Sequence, residues 1–305
     1  MIAALISSIT GLKVGYVERL AQTANHRYKS YLIPKRTGGV RKIDHPSRQL
    51  KFLQRWLADN LFSRLPVHEA AYSYKKDLGI KDHAEIHQRS KYILRVDFRN
   101  FFPSIRGDDV RRVLMRNRSL LPIQISDEDL SLISLLVCKD DKLTIGAPSS
   151  PSISNAIMFD FDSQLFSSCK QGRITYSRYA DDLYFSTDRS NVLRPLLGRI
   201  ENYLQSMLSP RLDINDAKTE FVSKKRKCVV TGLVLTSNRK ISIGREKKRA
   251  IKSMVFRFQR GTLEAERQKY LKGYLAFIIS VEPSFFEALR IKFGSNVLQQ
   301  ILQNS

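Results

Sequence analysis

Apolar positions along the chain predict several helices separated by short strands. In the stretch 47–65, Leu50, Leu53 and Leu57 recur at helical spacing. Ser47 precedes them, and serine is a residue type that caps the first turn of a helix. The same periodicity predicts helices over 1–20, 126–138, 151–169, 191–208 and most of 245–303.

Runs of β-favouring residues predict strands, and two of these carry acidic residues at their ends. Residues 91–98 form one run, which ends near Asp97 and is followed by the proline of "NFFPSI". "RITYSRYADDLYFST" alternates on both sides of Asp181 and Asp182, as expected of two strands that meet in a tight hairpin. Residues 28–45 predict another hairpin, with basic side chains at its Thr-Gly-Gly tip.

This mixture of elements indicates an α+β protein with a boundary near residues 236–244. The segments "KCVVTGLVLT" and "KISIG" predict the last strands before that boundary, and a basic, mostly helical part follows it. With 305 residues and 42% hydrophobic content, the chain can bury a sizeable core. We expect one large domain or two to three packed subdomains.

The charge of the chain points to a polyanionic partner. Lys and Arg total 52 against 29 for Asp and Glu, which gives a net charge of +23 at pH 7. Such an excess attracts polyanions, so nucleic acid is the leading partner. A merely soluble basic protein and a protein bound to an anionic membrane are the alternatives, and no apolar run of about 18 residues supports a membrane span.

The cysteine pattern supports neither a disulfide framework nor a thiolate zinc site. Cys138, Cys169 and Cys228 are odd in number, far apart and without a C-x-x-C pairing. We expect them to be small core or surface residues in a reducing, cytoplasmic setting.

Asp181 and Asp182 form the most informative local feature, because neighbouring residues on a regular strand point to opposite faces. A hairpin turn would let both carboxylates converge, and a cation would then relieve their repulsion. Mg²⁺ suits oxygen ligands, and Asp97 at another strand end would complete a two-metal site for phosphoryl transfer. A simple polar hairpin tip is the alternative explanation.

Four motifs resemble those of reverse transcriptases and follow one another in that family's order. "VDFRNFFPSI" resembles the first catalytic motif and "GAPSSPSISNAI" the next. "YADD" resembles the box with two catalytic aspartates, and "NDAKTEF" resembles the lysine motif that follows it. The resemblance runs from about residue 27 to 280, which is most of the chain.

Two further elements are similar to those of bacterial retron reverse transcriptases. Val230, Thr231 and Gly232 match the V-T-G triplet of that group. "HAEIH" resembles its N-A-x-x-H element and keeps Ala84 and His87. These elements favour the retron lineage over other reverse transcriptases.

His83 stands where that element usually has asparagine, and it lies four residues before His87. A histidine pair at this spacing can bind zinc, but the sequence offers no evident third ligand. We therefore expect a solvated or RNA-contacting helix here.

The resemblance implies catalytic roles for the residues that match its motifs. Asp97, Asp181 and Asp182 would be the catalytic residues and would hold two Mg²⁺ ions, with the carbonyl of Phe98 as a further candidate ligand. Phe102 falls at the aromatic gate that favours dNTP over NTP, and a core phenylalanine is the alternative.

Cations on both sides of this site are expected to bind phosphate. Lys35 or Arg36, together with Arg41, would meet the triphosphate of the dNTP, and Lys218 would lie near the leaving pyrophosphate as its candidate proton donor. An ordinary solvated face is the alternative. The residues expected to grip the template–primer duplex are Lys247, Lys248, Arg249 and Lys252.

One position departs from the family pattern. Many relatives read L-P-Q-G before A-P-S-S-P, whereas this chain has Ile145 in place of the glutamine. Isoleucine cannot hydrogen-bond through its side chain, so nucleotide affinity or fidelity is expected to differ while activity is kept.

The resemblance as a whole implies a right-hand polymerase fold, with fingers and palm in residues 1–235 and a helical thumb in 236–305. It implies RNA-directed DNA synthesis on a structured noncoding template RNA, primed from a guanosine 2′-hydroxyl. The product would be msDNA, a branched RNA–DNA hybrid, and the biological role antiphage defence with a separate effector protein. No membrane partner is expected.

Two other functions stay open on the sequence. The first is a reverse transcriptase of another lineage, either intron-encoded or diversity-generating, which the Val230-Thr231-Gly232 triplet argues against. The second is an RNA-binding scaffold that sequesters an effector, which the intact set of three aspartates argues against.

Overall fold

The computed structural model describes residues 1–35, 38–207, 209–224 and 227–303. The helices in these residues are α1 (Ile2–Thr10), α2 (Val14–Gln22), α3 (Arg48–Asn60), α4 (Ile80–His87), α5 (Phe101–Ser104), α6 (Gly107–Arg116), α7 (Asp127–Val137), α8 (Ser150–Ile157), α9 (Phe159–Gln171), α10 (Leu193–Ser206), α11 (Arg245–Gln259), α12 (Ala265–Val281), α13 (Pro283–Phe293) and α14 (Ser295–Gln303). The strands are β1 (Tyr28–Pro34), β2 (Val40–Pro46), β3 (Tyr92–Asp97), β4 (Thr175–Tyr179), β5 (Asp182–Thr187), β6 (Glu220–Ser223), β7 (Cys228–Val230), β8 (Leu233–Leu235) and β9 (Ile241–Ser242).

The strands build the two hairpins that the sequence predicts. β1 and β2 pair antiparallel from Tyr28 opposite Pro46 to Pro34 opposite Val40. β4 and β5 are neighbours in a four-stranded sheet of order β4-β5-β3-β6. β7, β8 and β9 form an antiparallel sheet in that order. The α+β class is confirmed.

Two predicted helices are each divided in the structure. The expected helix over 1–20 is α1 and α2, because Gly11 adopts a left-handed conformation (φ 72°) and its N–H donates to the Ser7 carbonyl, an arrangement that ends a helix. The expected helix over 151–169 is α8 and α9, which meet at Met158. α3 agrees with its prediction, since the Ser47 side chain accepts a hydrogen bond from the Leu50 N–H.

The described residues form two compact units. One comprises Met1–Lys76, Leu94–Phe185 and Asn191–Glu220, and the other comprises Asp77–Ile93, Ser186–Ser190 and Phe221–Ser305. Each unit combines segments from distant parts of the sequence, so neither corresponds to the predicted ranges 1–235 and 236–305. The division at residue 235 therefore stays a prediction.

The central strands of the first unit are buried on both faces. Leu94 and Val96 of β3 are fully buried, and so are the consecutive residues Leu183, Tyr184 and Phe185 of β5, with at most 2% of any side chain exposed. Burial of consecutive residues means that the sheet is covered on both sides. The aspartates lie at the ends of these strands, next to this buried core.

The three cysteines are free and buried, as expected for small core residues. Burial raises the pKa of the Cys138 and Cys169 thiols to about 12, which suppresses their reactivity. None of the described helices has both the length and the apolar character needed to cross a membrane.

Candidate active site

Two strand ends bring the three predicted aspartates to one edge of the sheet. Asp97 is the last residue of β3, Asp181 lies in the turn after β4, and Asp182 is the first residue of β5. β5 is the neighbour of β3, and the Phe98 N–H donates to the Asp181 carbonyl at 3.2 Å. The hairpin turn therefore delivers both carboxylates to the end of β3, as the sequence predicts.

Asp97 is held by two residues of the segment "NDAKTEF". Lys218 Nζ lies 3.0 Å from each carboxylate oxygen, and Asn215 Nδ2 donates to Oδ1 at 2.9 Å. The Asn215 N–H also donates to the Asp97 carbonyl at 2.8 Å. Sequence reasoning singled out Lys218 and missed Asn215, although both belong to the same motif.

Asp182 is held by Arg95, a residue that sequence reasoning also missed. The guanidinium contacts both oxygens, with Nη2 at 2.9 Å from Oδ1 and at 3.1 Å from Oδ2. Arg95 lies two residues before Asp97 on β3, so their side chains leave the same face of the strand. That spacing was the available signal.

Burial raises the pKa of two of the aspartates, and neighbouring charges modify the rise. Burial raises the pKa of Asp182 to about 6. The Arg95 guanidinium opposes the rise, and the charges of Asp181 and Asp97 add to it more weakly. Burial also raises the pKa of Asp181, and Asp97 adds to the effect while Lys218 and Arg41 counteract it. Burial thus makes the charged form of both carboxylates more costly, and neighbouring carboxylates add to this cost.

The donor chemistry of this edge fits a hard divalent cation. All three side chains offer carboxylate oxygens, the ligands that Mg²⁺ prefers, and a cation would stabilise the charged form of the buried carboxylates. In the described residues, no three Asp, Glu, His or Cys side chains are already arranged around a common ion position. Asp97 and Asp182 instead contact Lys218 and Arg95, which an ion would have to displace in part.

The predicted nucleotide-binding residues occupy different surroundings. Arg41 on β2 is exposed, and its charge lowers the pKa of Asp181, which places it within electrostatic range of the site. Lys35 is exposed after β1, and Arg36 lies outside the described residues. Phe102 on α5 is half-buried, with its ring 5.3 Å from that of Phe101.

The loop that carries Ile145 is joined to the basic hairpin through its backbone. The Ile145 carbonyl accepts the N–H of Asp44 on β2 at 2.9 Å. Gly146 follows with a φ of 118°, and a Cβ there would lie 2.8 Å from the Asp44 carbonyl oxygen. Only glycine allows this close approach. Residue 145 contacts Asp44 through its backbone carbonyl, so this contact does not depend on the side chain at position 145.

The histidine pair corrects one expectation. His83, Ala84 and His87 are fully buried, so the interpretation of a solvated or RNA-contacting helix face is wrong for these side chains. α4 packs against β7 and β8, and this contact removes that face from water. Burial lowers the pKa of His83 to about 3 and that of His87 well below its usual value, so both rings are neutral.

The two retron-like elements meet in this buried cluster. His83 Nδ1 lies 3.4 Å from Thr231 Oγ1, and the same hydroxyl donates to the Ile80 carbonyl at 3.3 Å. Val230 is buried, while Thr231 and Gly232 form the β7–β8 turn with φ values of 44° and 86°. His87 Nδ1 pairs with Ser186 Oγ at 2.7 Å. These contacts give the motif residues a role in packing.

The basic residues of α11 divide into two groups. Lys247 and Arg249 are exposed, and the Lys247 ammonium lies 5.7 Å from the ring centre of Tyr274. Lys248 binds Glu282 at 2.5 Å. Lys248 and Lys252 both lie over the ring of Phe285, at 5.0 and 5.7 Å.

Comparison with known proteins identifies the family. Residues 33–235 match the family described as "Reverse transcriptase (RNA-dependent DNA polymerase)". The Retron Ec83 reverse transcriptase of Escherichia coli is 38% identical over 93% of this chain and 92% of its own length. The Retron Ec73 reverse transcriptase of E. coli is 32% identical over 97% of this chain and 96% of its own length.

A solved structure shows a similar fold. Apo telomerase from Candida tropicalis matches 92% of this chain with a TM-score of 0.50 at 12% identity, and this chain spans 59% of its length. At that identity the likeness concerns the polymerase fold alone. Reverse transcriptases copy an RNA template and generally use divalent metal ions. The chain belongs to the reverse transcriptase family and, within it, to the retron reverse transcriptases, and is an RNA-directed DNA polymerase.

Proposed function

We propose that this enzyme copies a structured noncoding RNA into msDNA, with synthesis primed from a guanosine 2′-hydroxyl and catalysed at Asp97, Asp181 and Asp182. The observation that carries the proposal is the convergence of these carboxylates at the ends of β3 and β5. Its retron relatives, which match nearly the whole chain, support the msDNA product.

The carboxylates would hold two Mg²⁺ ions, which when bound activate the attacking hydroxyl and stabilise the transition state of phosphoryl transfer. Asp182 stays oriented through its contacts with Arg95, and Asp97 through Asn215. Lys218 has 44% of its side chain exposed, so its ammonium can leave Asp97 for the departing pyrophosphate and donate a proton from Nζ.

The incoming dNTP would approach from the basic hairpin. Arg41, with Lys35 or Arg36, would contact its triphosphate, because charge-assisted hydrogen bonds to phosphate are strong. Phe102 would limit the space beside the sugar and so exclude a 2′-hydroxyl. The Phe102 ring is half-buried and packs edge-on against that of Phe101.

The template–primer duplex would bind along α11. Exposed Lys247 and Arg249 are the better phosphate contacts, since Lys248 is already paired with Glu282. Lys252 is half-buried and lies over the ring of Phe285. Grooves of an RNA-containing duplex are recognised mainly through backbone and 2′-hydroxyl contacts, which suits a basic helix.

Co-expression with the structured RNA encoded beside the gene tests this function. We expect a DNA whose 5′ end stays joined to RNA until a debranching enzyme that cleaves 2′–5′ bonds releases it. Asp181→Ala with Asp182→Ala should abolish the product, whereas Asp127→Asn, at an exposed carboxylate on α7, should not.

Three results would count against parts of the proposal. DNA from the double alanine variant would remove the carboxylates from catalysis. DNA with a free 5′ end would contradict priming from a 2′-hydroxyl. An unchanged phage sensitivity of cells that carry the RNA, the enzyme and the neighbouring effector gene would contradict the proposed defence role.

A further inference from the structure

In the turn that carries Asp181, buried side chains hydrogen-bond both backbone polar groups of Ala180. Ala180 has a φ of 57°, in the left-handed region that residues with a Cβ rarely adopt. Its N–H donates to Ser73 Oγ at 2.7 Å, and its carbonyl accepts from Arg178 Nη1 at 3.1 Å. Both polar groups of this strained residue are therefore held by side chains rather than by the strand ladder.

Arg178 is itself fixed by an ion pair with no exposure to solvent. Its Nε and Nη2 donate to the carboxylate of Asp162, with Nη2 at 2.6 Å from Oδ2, and both side chains are 0% exposed. The guanidinium fork leaves Nη1 directed at Ala180 and at Asn155 Oδ1, 3.0 Å away.

Asn155 connects the two sides of the turn. Its Nδ2 donates to the Ser73 carbonyl at 2.9 Å while its oxygen accepts from Arg178. The residues thus form a closed path from Arg178 through Asn155 and Ser73 to Ala180 and back to Arg178.

Stability of the fold does not explain this arrangement. The free-energy cost of transferring two charges out of water offsets most of their mutual attraction. Apolar residues of similar volume often replace a buried ion pair without loss of stability. The arrangement instead specifies one conformation of a turn. Catalytic groups must be held to within about 0.5 Å of their working position, which a strained turn alone does not secure.

We infer that Arg178, Asn155 and Ser73 act as a turn clamp that positions Asp181 for catalysis. Arg178 is a positioning residue, because it acts through the backbone of Ala180 and not on substrate. The inference rests on the proposed role of Asp181 and adds to it the residues on which the position of that carboxylate depends.

Removal of the clamp without an unpaired charge provides the main test. The background is Tyr176→Phe, which deletes only the hydroxyl bonded to Asp162. In this background, the combined variant Arg178→Met with Asp162→Leu is compared with Tyr176→Phe alone. We expect the single-turnover rate of dNTP incorporation to fall about 100-fold with RNA affinity retained. Amide hydrogen exchange at residues 180–182 should accelerate in the protein without metal or substrate. Tyr176→Phe alone should change neither.

Ser73→Ala is the second variant, because it removes one acceptor and little volume. We expect a fall on the order of tenfold in rate, the value of one lost hydrogen bond, and faster exchange at Ala180 in a protein that is still folded under the assay conditions. It decides the question if the combined variant does not fold.

A wild-type rate and wild-type exchange in Ser73→Ala, or in a folded combined variant, would overturn the clamp. Such a result would leave the proposed function intact, since the wild-type enzyme would still make DNA. Loss of activity without faster exchange at 180–182 would also overturn the clamp, because the effect would then not act through the turn. Arg178→Lys should not keep the wild-type rate of incorporation, since an ammonium lacks the fork that reaches Asp162 and Ala180 together.

Discussion

The aspartate edge and the histidine pair are both clusters of ionisable residues within family-like motifs, yet they have opposite electrostatics. Burial raises the pKa of Asp181 and Asp182, and neighbouring carboxylates add to the rise while nearby cations oppose it. His83 and His87 are neutral and pair with hydroxyl groups. The difference teaches that a buried group of carboxylates indicates a place for a cation, whereas a buried pair of neutral imidazoles next to hydroxyl groups indicates a structural role.

The largest effect is expected at the aspartate edge. Asp97→Asn keeps the shape of the side chain but removes a charge that the metal ions need, so the incorporation rate should fall on the order of 10³-fold. Steady-state primer extension on an RNA template measures it, with Asp127→Asn as the exposed control. A fall of less than tenfold would place Asp97 outside the metal site.

The next effect concerns the stability of the protein. His87→Ala should lower the free energy of unfolding by about 2–4 kcal/mol, because it leaves a cavity and removes the partner of Ser186. Denaturant unfolding measures the change, and His26→Ala is the exposed control. Should His87→Ala instead unfold like the wild type but bind RNA weakly, the histidine would belong to an RNA interface.

Acidification should lower the free energy of unfolding because of the two buried histidines. Their pKa values are lowered on folding, so the unfolded chain takes up protons below about pH 6.5 while the native protein does not. Stability from this source is complete above that pH and is lost as the pH falls toward the folded pKa.

Between pH 7.5 and 5.5 the loss should be about 1.4 kcal/mol for each histidine. The combined variant His83→Gln with His87→Gln should lose less stability than the wild type over this interval. Equal losses in the two proteins would mean that the native imidazoles are protonated near their ordinary pKa.

Acidification should affect the aspartate edge through metal binding instead. The pKa of Asp182 is raised to about 6, so its carboxylate is increasingly protonated below that pH and metal binding must displace the proton. The Mg²⁺ concentration for half-maximal incorporation should therefore rise about fourfold between pH 7.5 and 5.5. A Mg²⁺ titration at both values, normalised to the maximal rate, measures it. A constant requirement would show that no proton on Asp182 competes with the ion in this interval.

The sequence predicted the aspartate edge because strand ends and hairpin turns are local features. Asp97, Asp181 and Asp182 each stand at a strand end or in a turn, and the order of the four reverse transcriptase-like motifs assigned them to one site. Arg95 and Arg178 could not be assigned partners in the same way, since the partners depend on strand order and on the packing of α9 against β4.

The histidines were misinterpreted for a related reason. "IKDHAEIH" is polar enough to suit an exposed helix, and only the contact of α4 with β7 and β8 buries His83 and His87. Tertiary packing thus overrode the local pattern. Similarly, Gly11 divides the N-terminal helix at a position where the apolar periodicity alone continues.

Single-turnover incorporation of one dNTP on an RNA template with a DNA primer tests the central claim most directly. Wild type and Asp181→Asn would be compared under saturating enzyme, with RNA affinity measured on the same preparations. We predict that Asp181→Asn binds the RNA as the wild type does and incorporates the nucleotide at least 10³-fold more slowly, on the order expected for a lost metal ligand. Incorporation by Asp181→Asn at the wild-type rate would contradict the account.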